Sequence, residues 1–527
     1  MTVLEPSLGT ILDRNYKRYA TRPAIMGTNQ KTSFATFQQK VYRTANALLG
    51  LGLVHGDRVV IWLENSPEFL EVEQAVFISG FVRTAVGSRL HLREVIDIVN
   101  DCDASLVVTD SARAAELAGC RREMPHLGTL VAVGGVDQHG VIGYAELVSS
   151  SAASRPPVPL PTADDVAVLL YTSGTTGRPK AAILTHRNWI AMVRNLMAEL
   201  PPIDATDILL HAAPMSHLSG SIGSAYCLRG AAIAMASRFE PSKILRMVEE
   251  LRVTALPLVP TMLASLTSAA EHGHYDLSSL RAIPYGGSAV SPQTLLRATA
   301  AFGDVLVQVY GLSEALVPLA ALSPSGHRSV PGEPIPACLA STGRPTPFVE
   351  LRIVQQDGSE SKNGQSGEIQ VRGDVVMTGY WNRPDATAEM IDADGWLATG
   401  DVGRLDDDGY LYIVDRKRDV IVSGGFNIYP AEVERVIDGL PEVAEVIVVG
   451  APNERWGESV TAVITLHPGA SLGPEQVIDV CRQHLAGYKK PTVVEFVDQL
   501  PKNSNGKLLR RDVRDRYWEG HERRVGQ

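Results

Sequence analysis

The stretch YTSGTTGRPKAA at residues 171–182 follows directly on the apolar run VAVLL at 166–170. The run reads as a buried strand that leads into a turn of glycines and hydroxyl residues closed by Pro179 and Lys180. Glycine lets backbone N–H groups converge, serine and threonine hydroxyls add donors, and lysine supplies a compact positive charge, so the loop suits an anion such as phosphate. It is not a Walker loop, because the only Gly-Lys pair, Gly506 and Lys507, is followed by Leu508 where Ser or Thr is needed. No GxGxxG opens a helix, HExxH is absent, and GGSAV at 286–290 has Val290 in place of the last glycine of a nucleophile elbow. Kinase, nicotinamide-enzyme, zinc-protease and serine-hydrolase readings therefore lose their usual supports.

On both sides of the loop, helical patterns alternate with short β-branched runs. FATFQQKVYRTANALLGLGL (34–53) reads as a helix stopped by glycine, and DRVVIWL (57–63) as the strand after it. ASLVVTD (104–110), TLVAVGG (129–135), ILLHAAPM (208–215), ALPLVPT (255–261) and VLVQVYG (305–311) read as strands that run into loops. Such alternation predicts an α/β fold of layered, largely parallel sheets, with ligands gathered at the carboxyl ends of strands. Between residues 345 and 415 the texture shifts to period-two alternation with Asp-Gly turns, as in VELRIVQQDGSE, GEIQVRGDVVMTGYW and GYLYIVDRKRD. This predicts a small antiparallel, barrel-like sheet. Beyond it, PAEVERVIDGL, VAEVIVVGAP, ESVTAVITLH, PEQVIDVCRQHLAG and TVVEFVD predict a compact α+β segment. The expected domains are thus 1–416 and 417–527, the first holding the small sheet.

A chain of 527 residues exceeds what one core usually supports, and 45% hydrophobic with 20% charged residues describes a folded globular protein. A net charge of -10 argues against nucleic-acid binding, which rests on clustered Lys and Arg. Cys102, Cys120, Cys227, Cys338 and Cys481 are scattered, which supports neither a disulfide framework nor a zinc site. His272 and His274 lack further ligands nearby. Glu5 and Asp13 interrupt the N-terminal segment, no run of 18 apolar residues occurs, and a cytoplasmic protein without a membrane span is expected.

Seven further strings accompany YTSGTTGRPK: PMSH (214–217), YGGSAVSP (285–292), QVYGLSE (308–314), SGEIQVRG (366–373), GWLATGD (395–401), DRKRDVIVSGGFNIYPAEVE (415–434) and PKNSNGKLLR (501–510). In this order they resemble the adenylate-forming superfamily, which includes acyl-CoA synthetases, aryl-CoA ligases, firefly luciferases and peptide-synthetase adenylation domains. The resemblance covers nearly the whole chain and points to the acyl-CoA synthetase branch. It implies that ATP and Mg2+ activate a carboxylic acid as acyl-AMP with release of pyrophosphate, and that the thiol of coenzyme A then takes the acyl group.

By the same resemblance, Ser173, Thr175, Thr176 and Lys180 line the loop around the outer phosphates, with Thr172, Gly174 and Gly177 in the same loop. Tyr310 lies against adenine, Ser313 reaches the α-phosphate, Glu314 holds Mg2+, and Gly287 and Gly311 adjoin the nucleotide. Asp401 and Arg416 grip the ribose, Lys507 is the catalytic lysine, and Arg418 stands at the hinge about which the mobile C-terminal domain rotates. Gly424 and Gly425 leave room for the pantetheine arm, and His217 gates the passage between acid and thiol. Leu218, Ser221, Tyr285, Gly286 and Ala315 are the implied acyl-pocket residues, with Leu258 and Leu316 as further wall positions.

Leu218 stands where amino-acid-activating relatives place Asp, which favours an acid without an α-amino group. The Gly- and Ser-rich LSGSIGSAYC (218–227) suggests a roomy pocket for a bulky, fatty, steroid-like or terpenoid acid. Ala181, Ser216 and Ser313 depart from the usual Gly, aromatic and Thr of the family. Three rival readings share the motifs: an adenylating enzyme that delivers to a carrier protein or partner enzyme, a luciferase-like oxidase, and a non-catalytic nucleotide-binding relative. The resemblance leaves room for a homodimer.

Overall fold

A computed structural model gives the fold. It describes residues 5–519 except 29–30, 137, 173–178, 289, 330–331, 333, 356, 417–418, 424–425, 454–455, 486 and 503–507, and only the backbone of 416 and 426–427. The chain is mixed α/β, with most sheets and helices in a large N-terminal part and a smaller C-terminal part after them.

The expected helices and strands form where local chemistry favours them. Ser33 caps the helix Phe34–Gly50 by accepting from the Thr36 N–H, and Phe34, Phe37, Val41, Ala45 and Leu48 bury one face at helical spacing. An eight-stranded sheet runs in the order Gly379–Tyr380, Lys180–Thr185, Val166–Thr172, Val82–Ala85, Arg58–Trp62, Leu106–Asp110, Thr129–Val133, Val141–Gly143. Apart from the first two strands its neighbours are parallel, and its central runs are buried on both faces, as all-apolar parallel strands must be.

A second layer joins two four-stranded sheets. One ends on Ile208–His211 and the other on Ile283–Gly286, with residues 255–258 bridging them: Ala255 pairs with Leu209 and Ala282, and Leu258 with Tyr285. ALPLVPT thus lies in the sheet as predicted but makes only isolated bridges; Pro257 has no N–H to give a ladder. The end of GEIQVRGDVVMTGYW departs further from the expected small sheet. Gly379 and Tyr380 add an antiparallel edge to Lys180–Thr185 in the eight-stranded sheet instead.

By compactness the chain divides into 1–351 with 371–399, and 352–370 with 400–527. This differs from a cut at 416, because Leu411–Arg416 pairs with Leu397–Leu405 and Arg510 ion-pairs with Asp415. The second unit has its own core, built from Ile421, Ile428, Val433, Ile437, Val448 and Ile464 among others.

Candidate active site

The strands Val166–Thr172 and Lys180–Thr185 form an antiparallel hairpin in which Thr172 pairs with Lys180. Ser173, Gly174, Thr175, Thr176 and Gly177, at its tip, lie outside the described residues. Lys180 Nζ sits 5.4 Å from the centroid of the Tyr380 ring, within cation–π reach. The Tyr380 hydroxyl donates to Glu314 Oε1 at 2.7 Å. Burial, and then the Glu314 charge, push this hydroxyl above the usual tyrosine range, so it stays protonated and remains a donor.

One stretch of chain stitches these groups together. Leu316 N–H donates to the Val375 carbonyl, Met377 N–H to the Glu314 carbonyl, and Ala315 bridges Val376. Three residues on, Gly379 and Tyr380 pair with Ile183 and Ala182. Residues 375–380 therefore fix Glu314 to the strand that begins at Lys180. Tyr380 was not singled out from the sequence; its role depends on pairing across some two hundred residues. Replacing Tyr380 by Phe keeps the ring over Lys180 and removes the bond to Glu314. For the adenylation that the motifs imply, the expected outcome is roughly a tenfold loss in kcat/KM, as for one lost hydrogen bond to a charged group, with the implied thiol step from supplied acyl-AMP unchanged.

Parallel strands Ile283–Gly286 and Leu306–Tyr310 end side by side, Gly286 opposite Val309. Their carboxyl ends carry Gly286, Gly287, Tyr310 and Gly311 to one edge, where α/β sheets bind ligands. A Cβ on Gly286 would lie 2.3 Å from the Val309 carbonyl oxygen, and one on Gly311 2.9 Å from Val317 Cα, so both positions need glycine for close approach. Gly287 adopts φ 96°, also a glycine conformation. Tyr310 is buried at the strand end, with Ser313 and Glu314 half-buried in the following turn, which Leu312 N–H closes on the Ala315 carbonyl. Ala315, Leu316 and Leu258 are buried.

Tyr285, an expected acyl-pocket residue, lies one step before this edge. Its side chain is fully buried in the apolar core, with its hydroxyl 3.1 Å from Gln308 Oε1 and 2.8 Å from His327 Nε2. Packing and these two polar neighbours hold the ring in place.

His217 precedes the helix Leu218–Leu228 without a side-chain capping bond, and its Nδ1 is 2.8 Å from Ser216 Oγ. The residue keeps a solvent-exposed edge, while the protein packed around the imidazole lowers its pKa from the usual histidine value, Arg83 adding to the effect. Leu218 is half-buried and Ser221 buried on the first turns of this helix.

The helix is not roomy on the side its glycines face. A Cβ on Gly220 would fall 1.9 Å from the Met215 carbonyl oxygen, and one on Gly223 2.5 Å from the His211 ring. Trp189 Nε1 donates to Ser224 Oγ at 3.2 Å. The small residues admit neighbours, and a cavity of about 30 Å³, enough for water, is left among Phe77, Trp189, His211 and Gly223. Gly220→Ala should cost about 2–3 kcal/mol, as overpacking against backbone does; the shift of the thermal unfolding midpoint checks it.

In the second unit, Asp401 is buried and pairs in register with Arg416 on the neighbouring strand. The Arg416 side chain, together with Arg418, Gly424, Gly425 and Lys507, lies outside the described residues. An ion cluster three residues beyond Lys507 was not evident from the sequence. Arg510 reaches Asp415 at 3.3 Å, Asp419 at 3.4 Å and Glu434 at 2.5 Å, and Arg514 also reaches Asp419 at 3.3 Å.

Among the described residues no cluster of His, Cys, Asp and Glu could hold a metal by itself, and no helix is long and apolar enough to cross a membrane. Burial pushes the Cys102 and Cys227 thiols up to about 12, which leaves both unreactive at neutral pH.

Two family models match the chain: that of the AMP-binding enzyme over residues 12–381 and that of the AMP-binding enzyme C-terminal domain over 432–507. The chain is 34% identical to the medium/long-chain-fatty-acid–CoA ligase FadD8 of Mycobacterium tuberculosis, over 98% of this chain and 91% of that protein. It is also 34% identical to the fatty acid–[acyl-carrier-protein] ligase ScoC of Streptomyces coeruleorubidus, over 96% and 95%. Among solved structures, ATP-bound MatB from Rhodopseudomonas palustris superposes with a TM-score of 0.87 at 29% identity, covering 98% of this chain and 100% of that one.

Proposed function

Since the chain belongs to the AMP-binding enzyme family, we propose that Lys180, Tyr380 and Glu314 form the ATP-phosphate side of an acyl-CoA synthetase site. The protein is an acid–thiol ligase that uses ATP, Mg2+ and coenzyme A. The observation that carries the site assignment is the Tyr380 bridge, which has one cation near its ring and one carboxylate at its hydroxyl.

A substrate carboxylate, with a reference pKa near ~4, is ionised at neutral pH, so its attack on the α-phosphate needs no general base. It needs two anions to be held together and the charge on phosphorus to be stabilised. Lys180 and the 173–177 loop would hold the outer phosphates, Ser313 the α-phosphate, Tyr310 the adenine, and Asp401 with Arg416 the ribose hydroxyls. Glu314 offers the hard oxygen donors Mg2+ takes alongside phosphate, where the ion would neutralise phosphate charge. Lys507 would supply positive charge to the first step. The segment after Arg418 would then turn, removing the lysine and bringing Gly424 and Gly425 beside the thiol path gated by His217.

The acid is proposed to be apolar and bulky or long. Leu218 heads a helix, Leu218–Leu228, without a single ionisable carboxylate, so an α-ammonium group would have no counter-charge there. The similarity to ligases named for fatty acids supports the same class. Coenzyme A is the favoured acceptor; the similarity to ScoC keeps a carrier protein as the second reading. A cytoplasmic, homodimeric enzyme is the accompanying proposal.

A panel of carboxylic acids screened for pyrophosphate release tests the substrate assignment. Fatty and polycyclic acids should be turned over and α-amino acids refused. Turnover confined to amino acids would refute it.

A further inference from the structure

Behind the turn at residues 214–217 lies a buried ion pair for which adenylation has no use. Arg83, in the strand Val82–Ala85, is 1% exposed, and Glu73, in the helix Pro67–Ser79, is 7% exposed. Arg83 Nε donates to Glu73 Oε1 at 2.6 Å, and Nη2 donates to the Met215 carbonyl at 3.3 Å. The guanidinium lies 5.6 Å from the Trp189 ring centroid and 5.9 Å from that of Phe69, while Nη1 has no hydrogen-bond partner among the described residues. Taking two charges out of water commonly costs as much as their attraction returns, and apolar residues of similar volume would serve the core equally well. The pair therefore calls for a reason other than stability, and the Met215 carbonyl supplies one.

Met215 is held at both backbone groups. Its N–H donates to Asn65 Oδ1 at 2.9 Å, and its carbonyl accepts from Arg83. Asn65 Nδ2 also donates to the Ala213 carbonyl at 3.0 Å. The same Met215 oxygen presses on Gly220, leaving no space for a Cβ. A shift of this carbonyl must therefore move the first turn of the helix that begins immediately after His217.

We propose that Arg83, kept in place by Glu73, is the positioning residue of the gate: it fixes the Met215 carbonyl and thereby the turn that aims His217 at the thiol path. The proposal rests on the reading of His217 as that gate. Misplacement by about an ångström can slow a positioned reaction up to roughly a hundredfold. The affected step is acyl transfer to the thiol, since the contacts that join Lys180, Tyr380 and Glu314 do not run through this turn.

The test separates the half-reactions in the full-length enzyme. The double variant R83L/E73L leaves no unpaired charge, and a thermal unfolding scan checks its fold. Pyrophosphate exchange is expected within about twofold of the parent, and acyl-CoA formation from supplied acyl-AMP roughly tenfold or more slower across the CoA titration. Should the double variant not fold, R83K decides: its ammonium keeps a charge for Glu73 but has one nitrogen where the fork had two contacts, so transfer alone should slow. Unchanged transfer, or an equal fall in both half-reactions, overturns the proposal. His217→Ala is measured in parallel. Normal transfer in that variant would remove the gate reading itself, whereas slow transfer there with normal transfer in R83L/E73L would remove only the role of Arg83.

Discussion

Lys507→Ala is expected to slow acyl-AMP formation by roughly a thousandfold, the size of loss seen when a donor to a developing charge is removed. Acyl-CoA formation from supplied acyl-AMP should remain within about threefold of the parent. The asymmetry arises from the chemistry of the two steps. Adenylation brings a carboxylate against the α-phosphate, and an ammonium that offsets both negative charges acts most strongly as they converge. In acyl transfer the leaving group is AMP, already a stable anion, so that step gains little from a second cation. Pyrophosphate exchange and a thioester assay starting from synthetic acyl-AMP measure the two rates. Equal loss in both would contradict a lysine that serves one step only.

Glu314→Gln should lower the adenylation rate by roughly a hundredfold and raise the Mg2+ concentration needed for half-maximal rate. Glutamine is the informative replacement because its amide oxygen can still accept the proton that the Tyr380 hydroxyl donates to Glu314 Oε1. The Lys180, Tyr380 and residue 314 contacts are then kept, and only the anionic charge is lost. A Mg2+ titration of pyrophosphate release checks this. A parallel fall with an unchanged Mg2+ requirement would point to lost packing instead. Compared with Tyr380→Phe, the glutamine variant should be the more severe, because the tyrosine would only orient a metal ligand that the glutamate itself would supply.

The strands and their order along the chain were legible because buried parallel strands advertise themselves as short apolar runs rich in β-branched residues, as in residues 58–62, 106–110 and 129–133. The motifs were legible for a different reason: the glycines at 286 and 311 stand where a Cβ would strike Val309 or Val317. Pairing across long sequence separation was hidden. Nothing near Gly379 or Tyr380 says that they extend the sheet of Lys180 and not the small sheet around them. Small residues misled where close approach and open space leave the same trace. The Gly- and Ser-rich run 218–227 suggested a roomy pocket, yet its Gly220, Gly223 and Ser224 receive Met215, His211 and Trp189. The complete burial of Tyr285 was hidden too, since a single residue step along a strand changes the face on which a side chain lies. The Arg83–Glu73 pair had no sequence signature, because the two residues meet only in the fold.

The proposed AMP-forming ligation of an apolar carboxylic acid to coenzyme A predicts three products from one reaction. With ATP, Mg2+, a fatty or polycyclic acid and coenzyme A present together, pyrophosphate, AMP and acyl-CoA are quantified in the same reaction. All three should form in equal amounts, each dependent on the acid. Pyrophosphate released without thioester, or ADP formed in place of AMP, would contradict it.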